Sequence, residues 1–250
     1  MKHISELLSK NTDERGITDK HYIKDYLDVE LTENETFDAI YEAKRKKYYV
    51  LKSQNYFKRI NSNNVWDEID ANKLLHHFAT RLAKSIIEPP TPKSLEILKD
   101  LCSYFLNEQG KYSINKGLLL LGNVGTGKTK IAQAVMSNPR YAYEYTTAKN
   151  ITESYELGGD YWSHYLKPDN AIIIDDIGTE RIAQIEYKKS SIESIAELIQ
   201  HRYDACSLNN VVITTNLNAE AIGQRYGDRV RDRIRESFNV IIFKGESLRK

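Results

Sequence analysis

Apolar positions change their period part-way along this chain. Through residues 1–88 they recur at helical spacing, most clearly at Leu74, Leu75, Phe78, Leu82 and Ile86, which predicts a mainly helical N-terminal domain. Pro89, Pro90 and Pro92 follow within four residues. Each fixes φ, removes a backbone donor and drives the preceding residue out of the helical region, so residues 89–94 are expected to form a linker. Beyond it, short β-prone runs at Leu118–Leu121, Tyr141–Tyr145, Ala171–Ile174, Val211–Thr215 and Val240–Phe243 alternate with helical stretches. That alternation predicts an α/β domain over residues 95–250, with a five-stranded, mostly parallel sheet flanked by helices. The unbroken apolar runs at 118 and 171 suit strands covered on both faces. Tyr141, Tyr143 and Tyr145 alternate along one run and are expected to share a face. The tract from Tyr155 to Tyr165, with Trp162 inside it, reads as a satellite core cluster rather than a DNA-facing loop.

Composition narrows the class. Forty per cent hydrophobic residues in 250, with 36 basic side chains against 35 acidic ones, exclude a disordered chain, and a net charge of +1 excludes a uniformly basic nucleic-acid coat. Any nucleic-acid contact must be local. The two cysteines, Cys102 and Cys206, are too few for a disulfide framework or a four-cysteine zinc site and suit a reducing cytoplasm. No apolar stretch approaches the roughly 20 residues that cross a bilayer, and the N-terminus lacks the apolar core of a signal peptide. The expectation is a cytoplasmic protein without a membrane span.

Gly122-Asn123-Val124-Gly125-Thr126-Gly127-Lys128-Thr129 satisfies the phosphate-loop pattern G-x-x-x-x-G-K-[ST], between a strand-like run and a helical one. Glycines let the backbone curl until successive N–H groups converge on phosphate oxygens, and the following helix adds its positive end. Lys128 is expected to reach the β- and γ-phosphates, and Thr129 to complete a Mg²⁺ shell. Asp175 and Asp176 follow the apolar run Ala171–Ile174, at the edge where open α/β sheets bind ligands. Asp175 is the expected metal partner, and Asp176 the base that orients an attacking water. Asn216 ends a further strand and is placed to hold that water or to sense the γ-phosphate. Arg225, Arg229, Arg231, Arg233 and Arg235 crowd one short segment with Asp228, Asp232 and Glu236 between them. Arg229 and Arg233, four apart on a helix, fall on one face, either as a guanidinium offered in trans or as part of a salt-bridged, solvated helix.

Taken together, these motifs resemble an AAA+ ATPase, with Walker A at 122–129, Walker B at 171–176 and sensor 1 at Asn216. Asp175-Asp176-Ile-Gly178-Thr-Glu180, Arg202-Tyr203, Thr214-Thr215-Asn216-Leu217, Tyr226-Gly227-Asp-Arg229 and Ser247-Leu248-Arg249 resemble, more narrowly, the bacterial helicase-loader family of the DnaC/DnaI type. The resemblance covers residues 95–250. It implies ATP and Mg²⁺ as cofactors and an ATPase activity stimulated by a partner or by DNA. It also implies self-association in ATP, with Arg233 as the arginine finger, Arg229 as the second candidate and Arg249 at the sensor-2 position. Asp176 stands where many AAA+ proteins carry glutamate, which implies slower hydrolysis. The chain ends just after Arg249, so no substantial C-terminal lid is expected.

The same resemblance implies that residues 1–88 grip a replicative helicase on single-stranded DNA; they hold no cysteine, so no zinc module is expected there. IstB-type transposition helpers share the motif series and would act with a transposase instead. A small-molecule phosphotransferase and a nucleotide-switched adaptor with negligible hydrolysis are the alternatives from other classes.

Residues 44–59 carry Lys44, Arg45, Lys46, Lys47, Lys52, Lys58 and Arg59 and no acidic residue, interleaved with Tyr48, Tyr49, Tyr56 and Phe57. Such a tract either tracks phosphates and stacks on bases or forms an amphipathic helix with its rings inward. In the first case, replacing the seven basic residues together lowers single-stranded DNA affinity at low salt. Unchanged affinity in an equilibrium binding titration assigns the tract to the second.

Overall fold

The computed structural model describes residues 69–85, 90–185 and 190–244, together with Thr32, Trp66 and Ser247. The basic tract 44–59, Pro89 and Arg249 therefore lie outside the described residues. The chain divides into two compact units, Met1–Gln54 and Asn55–Lys250, and the proline cluster lies inside the second.

Two helices precede the sheet. Helix α1 (Ala71–Ser85) starts where the Asp70 carboxylate accepts the Lys73 N–H at 2.8 Å and buries Leu74, Phe78 and Leu82 at i, i+4 and i+8. Helix α2 (Pro92–Phe105) is capped by Thr91, whose hydroxyl accepts the Ser94 N–H. Pro92, inside the expected linker, occupies the first turn, where its missing N–H is harmless. Both helices join the core cluster that also holds Leu118, Leu120 and Ile131, and α1 packs on the helix behind the phosphate loop.

The sheet is built from β1 (Gly117–Gly122), β2 (Glu144–Thr147), β3 (Ile172–Ile177), β6 (Val211–Thr215) and β7 (Phe238–Phe243), in the order β2-β3-β6-β1-β7 with every pair parallel. The helices between them are α3 (Lys128–Ala134), α4 (Ala148–Leu157), α5 (Gly159–Leu166), α6 (Ser194–Asp204), α7 (Ala219–Tyr226) and α8 (Asp228–Ser237). One face of the sheet packs on α1, α2 and α3, and the other on α4 to α8. An antiparallel pair, β4 (Ala183–Ile185) and β5 (Ser190–Ile192), follows β3; the sequence periodicity did not predict it.

Strand β2 begins three residues later than expected. Asn138 captures the Arg140 and Tyr141 N–H groups through its side-chain oxygen and bonds back to Tyr141 through its backbone, so residues 138–141 close a turn before extended pairing starts. The three tyrosines nonetheless share a core: Tyr143 is buried against Phe105, with Tyr141 and Tyr145 half-buried beside it. The aromatic tract further on folds into α4 and α5, where Tyr155 meets Trp162 edge-on at 4.6 Å and Trp162 packs on the core.

The amino-terminal edge of the sheet is pinned by buried polar clamps. Arg202 on α6 is 0% exposed and donates to the carbonyls of Tyr165 (2.9 Å) and Asn170 (2.7 Å) and to Asn210 Oδ1 (3.0 Å). These acceptors are neutral, and burial pulls its pKa down to about 10. The guanidinium ties the segment entering β3 to the one entering β6. The Tyr104 hydroxyl does the same for β1 and β6 through Lys116 O (2.8 Å) and Asn209 O (3.2 Å). Arg202→Met leaves several buried acceptors unpaired at roughly 1–3 kcal/mol each. The expected loss in urea denaturation is about 3 kcal/mol or more, with the nucleotide-loop residues untouched.

Candidate nucleotide site

Parallel strands deliver their carboxyl ends to one edge, and the register aligns them: Leu121 and Ile177 both pair with Thr215, and Thr147 pairs with Asp175. The loop leaving β1 is shaped by two glycines. A Cβ on Gly122 would lie 2.3 Å from the Phe243 carbonyl oxygen; one on Gly125, which has φ +83°, would lie 2.1 Å from Ser247 Oγ. Lys128, at the start of α3, folds back over the loop and donates from Nζ to the carbonyls of Gly122 (2.7 Å) and Asn123 (2.8 Å). Thr126 closes the turn by donating to Asn123 O at 2.8 Å, and Val124 stands exposed at its tip. A loop that excludes a Cβ at Gly122 and Gly125 and carries the Lys128 ammonium over its carbonyls fits a polyphosphate.

Asp175 closes the unbroken buried run of β3 and is held by three neutral hydroxyls. Thr129 donates to Oδ1 at 2.9 Å, Thr214 to Oδ1 at 2.6 Å and Tyr145 to Oδ2 at 2.6 Å. Beside it lies an irregularity in pairing: Ile174 pairs with Ile213 and Ile177 with Thr215, so Asp175 and Asp176 together face Thr214 alone. This is a β-bulge. Thr214 fills it, accepting the Asp176 N–H at 2.8 Å while donating to Asp175. Asp176 takes φ +60° and turns its carboxyl outward. Partial desolvation, then the adjacent Asp175 charge, raises its pKa from the ordinary aspartate value; Lys128 opposes the rise. Burial, followed by the bond to Asp175, pushes the Tyr145 phenol well above its usual range, so it donates rather than ionises. An oxygen set of Thr129 and Asp175 suits a hard divalent cation.

Asn216 lies exposed immediately past β6, on the strand adjoining β3. Past the bulge, the turn 178–180 is clamped from α7. Glu180 is buried; it accepts the Gly178 N–H at 2.8 Å and the Tyr226 hydroxyl, and pairs with Arg225 at 3.2 Å. Arg225 also donates to the carbonyls of Gly178 (3.0 Å) and Glu180.

The two arginines expected on one face of α8 are separated. Val230, Arg233 and Ile234 form the buried stripe of that helix. Arg233 is 7% exposed, paired with Asp204 at 3.1 Å and laid over the Tyr203 ring at 4.5 Å. Its guanidinium faces α6 of its own chain, while Arg229, one helical turn earlier, is exposed. Arg231 and Arg235 make the surface pairs with Asp228 and Asp232 that a solvated helix would carry.

Lys128, Thr129, Asp175 and Asp176 thus converge as the spacing implied, while Tyr145 and Thr214 were not foreseen. Thr214 left two signals, a hydroxyl that with Thr215 closes an apolar run and a place in the motif Thr214-Thr215-Asn216-Leu217. Tyr145 left none beyond the tyrosine alternation.

Structural comparison finds a DnaC helicase loader at 21% identity and TM-score 0.49, covering 67% of this chain and 98% of that one. DnaI matches at 16% identity and 0.47, over 68% and 93% of the two chains. AMPPCP-bound DnaA from Aquifex aeolicus matches at 19% and 0.41, over 66% and 50%. Comparison of the sequence with curated proteins finds no match. Residues 112–250 match the family model described as IstB-like ATP binding protein. That span is more than half of the chain and contains the loop, the bulge, α7 and α8; the protein belongs to the IstB-like ATP-binding family.

Proposed function

We propose that this protein hydrolyses ATP with Mg²⁺ and uses the cycle to load or regulate a replicative helicase on single-stranded DNA. The observation that carries the nucleotide chemistry is the 2.9 Å bond from Thr129 to Asp175, which joins the phosphate loop to the acidic end of β3. Backbone N–H groups of residues 123–129 would hold the phosphates, Lys128 would leave its two carbonyls for them, and Thr129 and Asp175 would hold the metal. Bound Mg²⁺ supplies charge withdrawal from the phosphate oxygens. Asp176 accepts the proton of the attacking water, and Asn216 orients that water. Arg229, being exposed, serves a neighbouring copy as the arginine finger in an ATP-dependent assembly; Arg233 is a packing residue.

A second reading, a transposition helper acting with a transposase, is favoured by the name of the matched family. Affinity capture of the full chain from native extract separates the two: recovery of a replicative helicase supports the first, recovery of a transposase the second.

Lys128→Ala is expected to weaken ATP binding at least tenfold, about 1.4 kcal/mol, in a fluorescent-nucleotide titration. Asp176→Asn should keep that affinity and lose roughly 10²–10⁴ in turnover. Since Asp176 works only when ionised, turnover falls as pH drops through its raised pKa, and a pH–rate profile places that fall above the ordinary aspartate range. Arg229→Ala lowers turnover of the assembled protein by about 10³-fold without changing its melting temperature, whereas Arg233→Ala lowers the melting temperature.

A further inference from the structure

Asp175 accepts from all three hydroxyls at once, and they come from three different elements. Thr129 and Thr214 both donate to Oδ1, and Tyr145 alone donates to Oδ2. The reach of Tyr145 follows from register. It pairs with Ile173, two residues before Asp175, so both side chains lie on one face about 7 Å apart along the strand. A phenol spans that interval; serine or threonine at 145 would fall short, and phenylalanine would arrive without a donor. The ring is half-buried in the core shared with Tyr143 and Ile131, which fixes where its oxygen lies.

We infer that Tyr145 is a positioning residue for the divalent metal: by holding Oδ2, it sets the rotation of the Asp175 carboxyl that keeps Oδ1 on Thr129. The inference rests on the nucleotide reading above. A carboxylate free to rotate about its Cβ–Cγ bond would trade Thr129 for other partners. With Oδ2 tethered, the Thr129 proton stays on Asp175, and its oxygen keeps its lone pairs for a cation. Outer-shell hydrogen bonds of this kind typically account for about 10–100-fold in metal affinity.

Tyr145→Phe removes one oxygen and leaves the ring in place. In the full chain, fluorescent-ATP affinity is titrated against Mg²⁺, and again in EDTA, beside thermal melting. The expected result is a Mg²⁺ midpoint raised roughly tenfold, unchanged affinity in EDTA, and recovery of wild-type affinity at saturating Mg²⁺. An unchanged midpoint overturns the inference, as does an equal loss of affinity with and without Mg²⁺, which would mark a structural role. If the wild-type protein itself shows no Mg²⁺-dependent tightening, the nucleotide-site reading falls with it. If wild type responds and Tyr145→Phe responds identically, only the role of Tyr145 falls.

Discussion

Asp175 gathers hydroxyls from α3, β2 and β6 onto one carboxyl group, and the architecture around it is what makes that gathering possible. Parallel pairing brings four strand ends level, helices on both faces keep the strands dry, and the phosphate loop is anchored because its threonine belongs to the same hydrogen-bond set. The carboxyl group is buried at the mouth of a loop whose own basic side chain is Lys128. The structure therefore sets a carboxyl group held by hydroxyls close to an amine that donates to loop carbonyls, at the place where a polyphosphate and its metal ion would bind.

The opposite edge of the sheet is organised by the reverse charge. Arg202 and Tyr104 collect carbonyl oxygens from the segments entering β1, β3 and β6, so the strand starts are fixed by donors and the strand ends by an acceptor. Rigidity at the base lets a short loop and a single bulge at the top carry the chemistry, because neither has to contribute to holding the sheet together.

What was legible in the sequence was whatever chemistry keeps contiguous. The loop 122–129 could be read whole, since one curl of backbone must supply every phosphate donor, and Asp175 was visible as a polar break after an apolar run. Five strands and their parallel class followed from the alternation of runs. Tyr145 was hidden because its role depends on the register between β2 and β3, a long-range property that spacing does not encode. The placement of Arg233 was hidden for a related reason. Its spacing from Arg229 is helical, but the stripe of Val230 and Ile234 draws it inward, and only α6 supplies the Asp204 and Tyr203 that make burial of a guanidinium tolerable. The helix at 71–85 was legible as an amphipathic stripe, but the surface it covers was not.

The bulge at Asp175–Asp176 acts as a parity change along β3. Upstream, even-numbered Ile172 and Ile174 face the core under α4 to α8, while odd-numbered Ile173 faces the core under α1 to α3. Downstream, odd-numbered Ile177 joins the even-numbered pair. Were the alternation unbroken from Ile172 to Ile177, Asp176 would point into an apolar layer and Ile177 toward the phosphate-loop face. One residue of slippage thus converts an acidic dipeptide from a core defect into a pair of carboxylates with separate duties, one inward and one outward. For the same reason, deleting either Asp175 or Asp176 would leave Ile177 opposite Thr215 on its present face and would remove only one of the two carboxylates.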